Sequence, residues 1–555
     1  MAMGAQQPAA AGAGPADTES ASTGSADRPA REGREGARAA VWEGTAAVPD
    51  YPALAEDTAA DVCVVGAGIA GLTTAYYLAR AGRRVVVLDD GPVAGGETGR
   101  TTAQVATSFD DYYHEAERVH GEAAARLLAE SFRAGVDAVE RIVREEDIAC
   151  DWARVDGYWF PAPEEAEQGR ALLRKELDAA HRAGLADVEL LDAWPDARAR
   201  AFGPGPVLRF PNQGQFDIHK YMAGLARAVE RHGGRIFGRT HVRDVEPGAR
   251  GAPHVVRSDA GRAVTAADLV VATNSPVNDR YAMHTKQAPY RTYVVAARVP
   301  RSALGTGFYW DTRDPYHYVR WLRPPGGDDA GTDLLLVGGE DHKTGQADGP
   351  EEAAFDRLEQ WTRARFPVEA VEYRWSGQVM EPVDYVAFIG RNPGDERVYL
   401  ATGDSGNGMT HGTIAGLLLS DLILGRPNPW TDLYDPSRVS LRAAGAWLEE
   451  NLNVAGQFVD YVAPAEADTE AEVPAGEGRV LRRNGRPVAV YRAEDGTVTE
   501  RSAVCPHLFC VVDWNSAEKT WDCPCHGSRF AVDGTAVNGP SRAPLAPVDA
   551  PPGGR

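Results

Sequence analysis

A chain of 555 residues is too long for one ordinary hydrophobic core, so two or three domains are expected, and 43% hydrophobic with 25% charged residues is a globular composition. The formal charge of −22 argues against nucleic acid as a partner, because phosphate binding needs clustered Lys and Arg. No run of 18 or more apolar residues is present, which excludes a helical membrane span.

Residues 1–40 are rich in Ala, Gly, Pro, Ser and charge and hold no apolar signal core. They are predicted to be a disordered tail, with cytoplasm as the default compartment. From Asp61, a strand over Val62–Val65, a glycine turn, a helix over Ile69–Ala81 and a strand over Arg84–Asp89 form a βαβ opening. Helical patterns follow at 121–143 and 164–184, among short β-rich pieces at 157–163 and 290–299. Buried strands are predicted at 333–339 and 397–404, and a buried helix at 412–425. This interleaving predicts an α/β, Rossmann-like nucleotide domain over 41–463. A mostly antiparallel β domain, about 150–235 and 285–385, is inserted into it. A long amphipathic helix over 436–462 carries Leu441, Trp447, Leu448, Leu452 and Phe458 as its apolar positions. It leads to an acidic Pro/Gly linker at 464–477, and then to a small all-β module at 478–550.

Gly66-Ala67-Gly68-Ile69-Ala70-Gly71 is a GxGxxG between the first strand and the first helix. The glycines permit a tight turn, close approach of backbone to a pyrophosphate and close packing of helix on strand. Asp89, about twenty residues on at the end of the next strand, is placed to accept from a ribose hydroxyl. No second GxGxxG is present, so one dinucleotide is the expected count.

The stretches "GAGIAGLTTAYYLARAGRRVVVLD", "GGETGRTTAQ" and "ATGDSGNGMTHGTIAG" resemble the FAD-dependent amine and amino-acid oxidoreductases of the D-amino-acid oxidase superfamily, with glycine and sarcosine oxidases as the nearest analogy. The resemblance covers most of residues 58–435 and implies FAD. By that resemblance Arg100, Thr101 and Thr102 run beside the flavin. The segment with Gly403, Asp404, Gly406, Gly408 and Met409 passes its pyrimidine end, where a helix N-terminus would stabilise negative charge. Val242 and Ala272 match segments lining the adenosine half; the plain alternative for both is sheet edge. No cysteine stands in these motifs, so non-covalent FAD is expected.

Four of the six cysteines crowd into residues 505–525. Cys505-x-His507 and Cys523-x-x-His526 offer two thiolates and two imidazoles, a set able to hold tetrahedral Zn²⁺ or a [2Fe–2S] cluster. "CPHLFC" and "CPCHGSRF" resemble the two cluster loops of Rieske domains, which implies the [2Fe–2S] cluster. The resemblance further implies a disulfide between Cys510 and Cys525. Ser528 matches a serine that donates to the cluster, whereas Phe530 stands where tyrosine is common, so a potential below the top of the Rieske range is expected. Phe509 replaces a common glycine, which is expected to alter partner docking. Cys63, inside the first strand, reads as a buried small hydrophobe.

From about Trp42 the whole chain resembles a bacterial family in which this flavin fold carries a C-terminal Rieske domain. A flavin takes two electrons from a bond and a Rieske cluster carries one, so together they divide a pair into single-electron exits. The expectation is oxidation of a small amine or amino acid, with electrons leaving to an acceptor protein or a quinone. The alternatives are a reductase run in reverse from a ferredoxin-like donor, and a redox sensor without turnover. On the substrate side, Arg320 is a candidate carboxylate clamp, and His342, with Glu340 and Lys343, a candidate for assisting amine deprotonation. A surface arginine and a solvated turn are the plain alternatives.

Overall fold

The computed structural model describes residues 38–246, 248, 251–276, 283–322, 331–461, 465–467 and 469–548. Most of the expected tail lies outside them, but its last residues are packed. Arg38 donates to the Ala517 carbonyl and pairs with Glu352, and Ala40, Val41 and Trp42 are buried.

The opening βαβ unit is Thr58–Val65, Ile69–Arg80 and Val85–Leu88. In the sheet it belongs to, the strand order is Phe388–Arg391, Val398–Thr402, Ala263–Val271, Thr58–Val65, Val85–Leu88 and Arg235–Phe237, parallel except at the Phe388 edge. Val and Leu runs make its strands continuously apolar, because helices cover the sheet. The helices Ile69–Arg80 and Gly408–Ile423 pack against one another there.

The inserted domain is a nine-stranded, mostly antiparallel sheet. Its order runs Ala370–Pro382, Gln287–Pro300, Thr332–Lys343, Tyr318–Trp321, Phe308–Asp311, Ala153–Phe160, Val207–Gln215 and Gln104–Val105, with Glu189–Leu191 beside Val207–Gln215. The first inserted piece ends earlier than the expected 235. Helix Ile218–Arg231 packs on the first helix and Arg235–Phe237 pairs with Val85–Leu88, so both belong to the nucleotide domain.

The C-terminal module has a three-stranded sheet, Glu477–Arg483, Arg486–Arg492 and Val498–Ser502, and a four-stranded one, Asp513–Asn515, Thr520–Asp522, Arg529–Phe530 and Ala536–Asn538. Part of the expected linker belongs to this module. Val473 is fully buried against Leu481, Val488 and Val490, and Glu466 bonds to Val480 through backbone and side chain. The long helix expected over 436–462 is shorter, Ala444–Gly456 between two 3₁₀ turns. Its apolar positions Leu441, Leu448 and Leu452 are exposed rather than buried.

Candidate active site and metal centre

One cavity of about 2230 Å³ runs from the GxGxxG to the inserted sheet. A Cβ on Gly66, at φ +109°, would collide with the Ala272 carbonyl, so the turn needs glycine. A Cβ on Gly71 would strike the Gly66 carbonyl, which is the close helix–strand packing the motif requires. Gly66, Gly68, Ile69, Ala70, Val242 and Ala272 line this end. The Asp89 carboxylate accepts from the backbone N–H of Ala67 at 2.6 Å and of Gly91 at 2.8 Å, which fixes it at the rim beside the turn. A dinucleotide cradle fits this geometry.

Further in, Thr101, Thr102, Asp404, Gly406, Gly408 and Met409 line the cavity. Gly403 turns the chain at φ +73° without lining it. Helix Gly408–Ile423 starts here with its N-terminus at the cavity wall, so its partial positive end faces the cavity.

Four consecutive carbonyls of the flavin-side loop are held from behind by buried donors. Trp375 Nε1 donates to Arg100 O at 2.8 Å, Trp42 Nε1 to Thr101 O at 2.6 Å, and Arg320 Nη1 to Thr102 O at 2.9 Å and Ala103 O at 2.6 Å. Arg320 also donates to the carbonyls of Trp321 and Leu322. This corrects the expectation of a carboxylate clamp: Arg320 is fully buried, does not line the cavity, and braces the loop. Burial pushes its pKa down to about 9, with only Asp217 opposing. Trp42 and Trp375 had no motif around them to mark this role.

His342 is corrected as well. Strand alternation turns Asp341 into the cavity and His342 to the opposite face, where its ring meets Tyr293 Oη at 2.8 Å and the Lys343 carbonyl at 2.9 Å. Lys343 pairs with Glu450 at 2.7 Å, and Glu340 with Arg357, so neither serves the cavity. The side chains that do face it from the inserted sheet include Trp159, Trp310, Tyr316, Tyr318 and Asp341.

In the C-terminal module Cys505 and Cys523 are buried, their thiols hydrogen-bonded to each other, with the Ser528 hydroxyl also reaching Cys505. That contact with Cys523, then the His507 backbone N–H and Ser528, holds Cys505 below the usual thiol range against the opposing effect of burial. His507 and His526 sit edge to face, ring centroids 5.1 Å apart. His526 Nδ1 is buried without a hydrogen-bond partner, and burial, with His284 and His507 nearby, pushes its pKa down to about 3. A neutral imidazole with a bare ring nitrogen suits a metal ligand. Cys510 and Cys525 are joined as a disulfide with Cα atoms 6.4 Å apart. Their sulfurs and that of Cys523 lie within 4.8 Å of one another, but two of the three are in that bond and are not available to iron. Two thiols and two imidazoles remain, the donor set of a [2Fe–2S] cluster of Rieske type.

The two sites adjoin. Ala536, Val537, Asn538 and Gly539 of the C-terminal module form part of the cavity wall, and Asn538 donates to Glu97 at 2.9 Å. His284, in the 3₁₀ turn Met283–Lys286 of the flavin side, meets both candidate ligand imidazoles edge to face, at 4.8 Å from His507 and 4.7 Å from His526. Beside it, Gly527 of the second cluster loop lies against Pro289 and Gln378. Arg100, expected beside the flavin, lines the cavity and also directs its guanidinium across the junction: it donates to Glu518 at 2.9 Å and to the carbonyls of Ser376 and Arg38. Arg291 stands 3.8 Å from the same carboxylate, and Arg529 pairs with Asp522 at 3.1 Å. Burial alone would raise Glu518, but Arg100, Arg291 and Arg529 outweigh it and hold it below the usual range.

Residues 61–422 match the family model described as FAD dependent oxidoreductase, and residues 464–549 match the Rieske [2Fe-2S] domain. The chain is therefore an FAD-dependent oxidoreductase that carries a Rieske iron–sulfur domain. It belongs to the FAD dependent oxidoreductase family, and FAD and a [2Fe–2S] cluster are its cofactors. The Rieske 2Fe-2S iron-sulfur protein YhfW of Bacillus subtilis (strain 168) is 32% identical over 92% of this chain and 97% of its own length. Gamma-glutamylputrescine oxidoreductase of Escherichia coli (strain K12) is 27% identical over 68% of this chain and 86% of its own. Glycine oxidase from Geobacillus kaustophilus shares the fold, with a TM-score of 0.56 and 18% identity over 69% of this chain and all of that one.

Proposed function

We propose that this chain dehydrogenates a small amine or amino acid and sends the electrons singly through its own Rieske cluster to an external acceptor, a protein or a quinone. The net change is loss of two hydrogens across a C–N bond; the imine then takes up water and releases a carbonyl compound and ammonia or a smaller amine. Bound FAD supplies the two-electron acceptor and the cluster the one-electron carrier. The carrying observation is the shared wall: strand Ala536–Asn538 of the Rieske domain forms part of the wall of the cavity that holds the dinucleotide cradle, and His284 of the flavin side packs against the rings of His507 and His526.

The chain's own groups set the stage. Trp42, Trp375 and Arg320 hold the flavin-side loop rigid, and the N-terminus of helix Gly408–Ile423 offers positive potential. The inserted sheet and the Rieske strand each supply part of the cavity wall.

The test is anaerobic titration of the holoprotein with a panel of amines and amino acids, following flavin absorbance and the cluster's EPR signal together. Bleaching of the flavin with parallel appearance of the reduced-cluster signal is expected. Flavin bleaching beside a cluster that stays oxidised would refute the relay. Reduction of the flavin only from a small donor protein would favour the reverse direction.

A further inference from the structure

We infer that the substrate is an aliphatic amine bearing a second cationic group, a diamine or polyamine, and not an α-amino acid. This rests on the dehydrogenase reading above and narrows its substrate class.

The inserted sheet presents an aromatic wall to the cavity. Trp159 packs against Trp310 and Tyr316, with ring centroids 5.6 and 6.0 Å away, and Tyr316 against Tyr318 at 5.6 Å. Aromatic faces attract cations. Carboxylates stand within the same wall. Asp341 takes a hydrogen bond from Thr292, yet its Oδ1 is sealed from solvent without any partner. Asp110 is met by the Tyr316 hydroxyl, and Glu381 accepts from Ser405 at 2.8 Å. No arginine or lysine pairs with any of these three among the described residues. Burial pushes Asp110 and Asp341 each up to about 7, the response of a carboxylate removed from water, and for Asp341 the nearby His317 offsets it only in part. A bound ammonium would supply a counter-charge.

The opposite charge is missing where an amino acid would need it. No lysine lines the cavity among the described residues, and all six lining arginines are engaged elsewhere. Arg298 pairs with Glu372, Arg374 with Glu359, Arg239 with Asp50, Arg38 with Glu352 and Arg100 with Glu518, while Arg542 donates to the Arg243 carbonyl. A carboxylate brought in would meet Asp341 and Glu381 and find no cation to hold it. A metal ion is a poor alternative occupant: among the described residues no three carboxylate, histidine or cysteine donors there close to within 4.8 Å.

The experiment measures binding, as perturbation of the oxidised flavin spectrum, and anaerobic flavin reduction for 1,4-diaminobutane, butylamine, glycine, sarcosine and L-proline on the holoprotein. The diamine is expected to bind roughly tenfold or more tightly than butylamine, the value of one charge-assisted contact. Asp341→Asn and Glu381→Gln, each checked for unchanged FAD content, are expected to shrink that ratio severalfold by raising Kd. Equal binding of diamine and monoamine, or preference for an amino acid, overturns the inference. Tight diamine binding without flavin reduction keeps the dicationic binding site and sinks the dehydrogenase reading, and with it the diamine's role as substrate.

Discussion

At the residue scale, the flavin site depends on side chains that never touch the cavity. Arg320 is a buried guanidinium whose donors all go to backbone carbonyls, an arrangement a planar fork can make and an ammonium cannot. Arg320→Lys is expected to leave at least one of those carbonyls bare, at about 1–3 kcal/mol each. The variant should lose FAD on gel filtration where the wild-type chain retains it. Ser528 matters differently: its hydroxyl reaches the Cys505 sulfur and itself accepts from the Ser541 N–H at 2.9 Å. Ser528→Ala removes a donor to sulfur and should lower the cluster's potential by tens of millivolts, about 60 mV for each 1.4 kcal/mol of stabilisation lost from the reduced state. Redox titration by EPR reads this directly. Phe509 sits at φ +65°, the left-handed region that a glycine would adopt without strain, and its ring is more than half exposed. Phe509 thus holds a backbone conformation that favours glycine.

At the element scale, the short turn Met283–Lys286 decides how the two cofactor sites meet. It lies between strand Ala263–Val271 of the parallel sheet and Gln287–Pro300, the longest strand of the inserted one, and it lifts His284 onto the rings of His507 and His526. His526 is only 5% exposed as a result of this packing. His284→Ala removes edge-to-face contacts worth about 0.5–1.5 kcal/mol each. The expected outcome is a shifted cluster EPR line shape and severalfold faster oxidation of the reduced cluster by ferricyanide. Identical spectra and rates would show that the turn does not seat the imidazoles. The strand Thr332–Lys343 shows the same dependence on geometry: one step along it separates Asp341 in the cavity from His342 against Tyr293.

At the scale of the whole molecule, a buried ionic network joins the Rieske domain to the flavin domain. Glu518 lies between Arg100 and Arg291, all three shielded from water. Removing one member of such a set leaves uncompensated buried charge, so Glu518→Gln is expected to destabilise the junction by about 3–5 kcal/mol. Its arginine partners hold Glu518 below its unfolded value, so its contribution is complete above pH about 4.3 and is lost as pH falls through the lower native value. The gap in Tm between wild type and variant should therefore be constant from pH 5 to 8 and close below pH about 4. A gap that grew on acidification would contradict the assignment.

A dinucleotide cradle and a thiolate–imidazole donor set were legible in the sequence because each is encoded locally, whereas FAD and the [2Fe–2S] cluster themselves were read from the family resemblance. GxGxxG with Asp89 requires only a strand, a turn and a helix in succession, and the Cys-x-His and Cys-x-x-His loops carry their donors within a few residues of one another. Local spacing also implied the right kind of domains, though not where Ile218–Arg231 or Val473 belong, since that is decided by the surface each packs against. The substrate wall, the brace made by Trp42, Trp375 and Arg320, the Glu518 network and the place of His284 join residues far apart along the chain. No periodicity or motif carries such information: which of two faces a side chain takes, and which distant partner it meets, follow only from the closed packing of three sheets about one cavity.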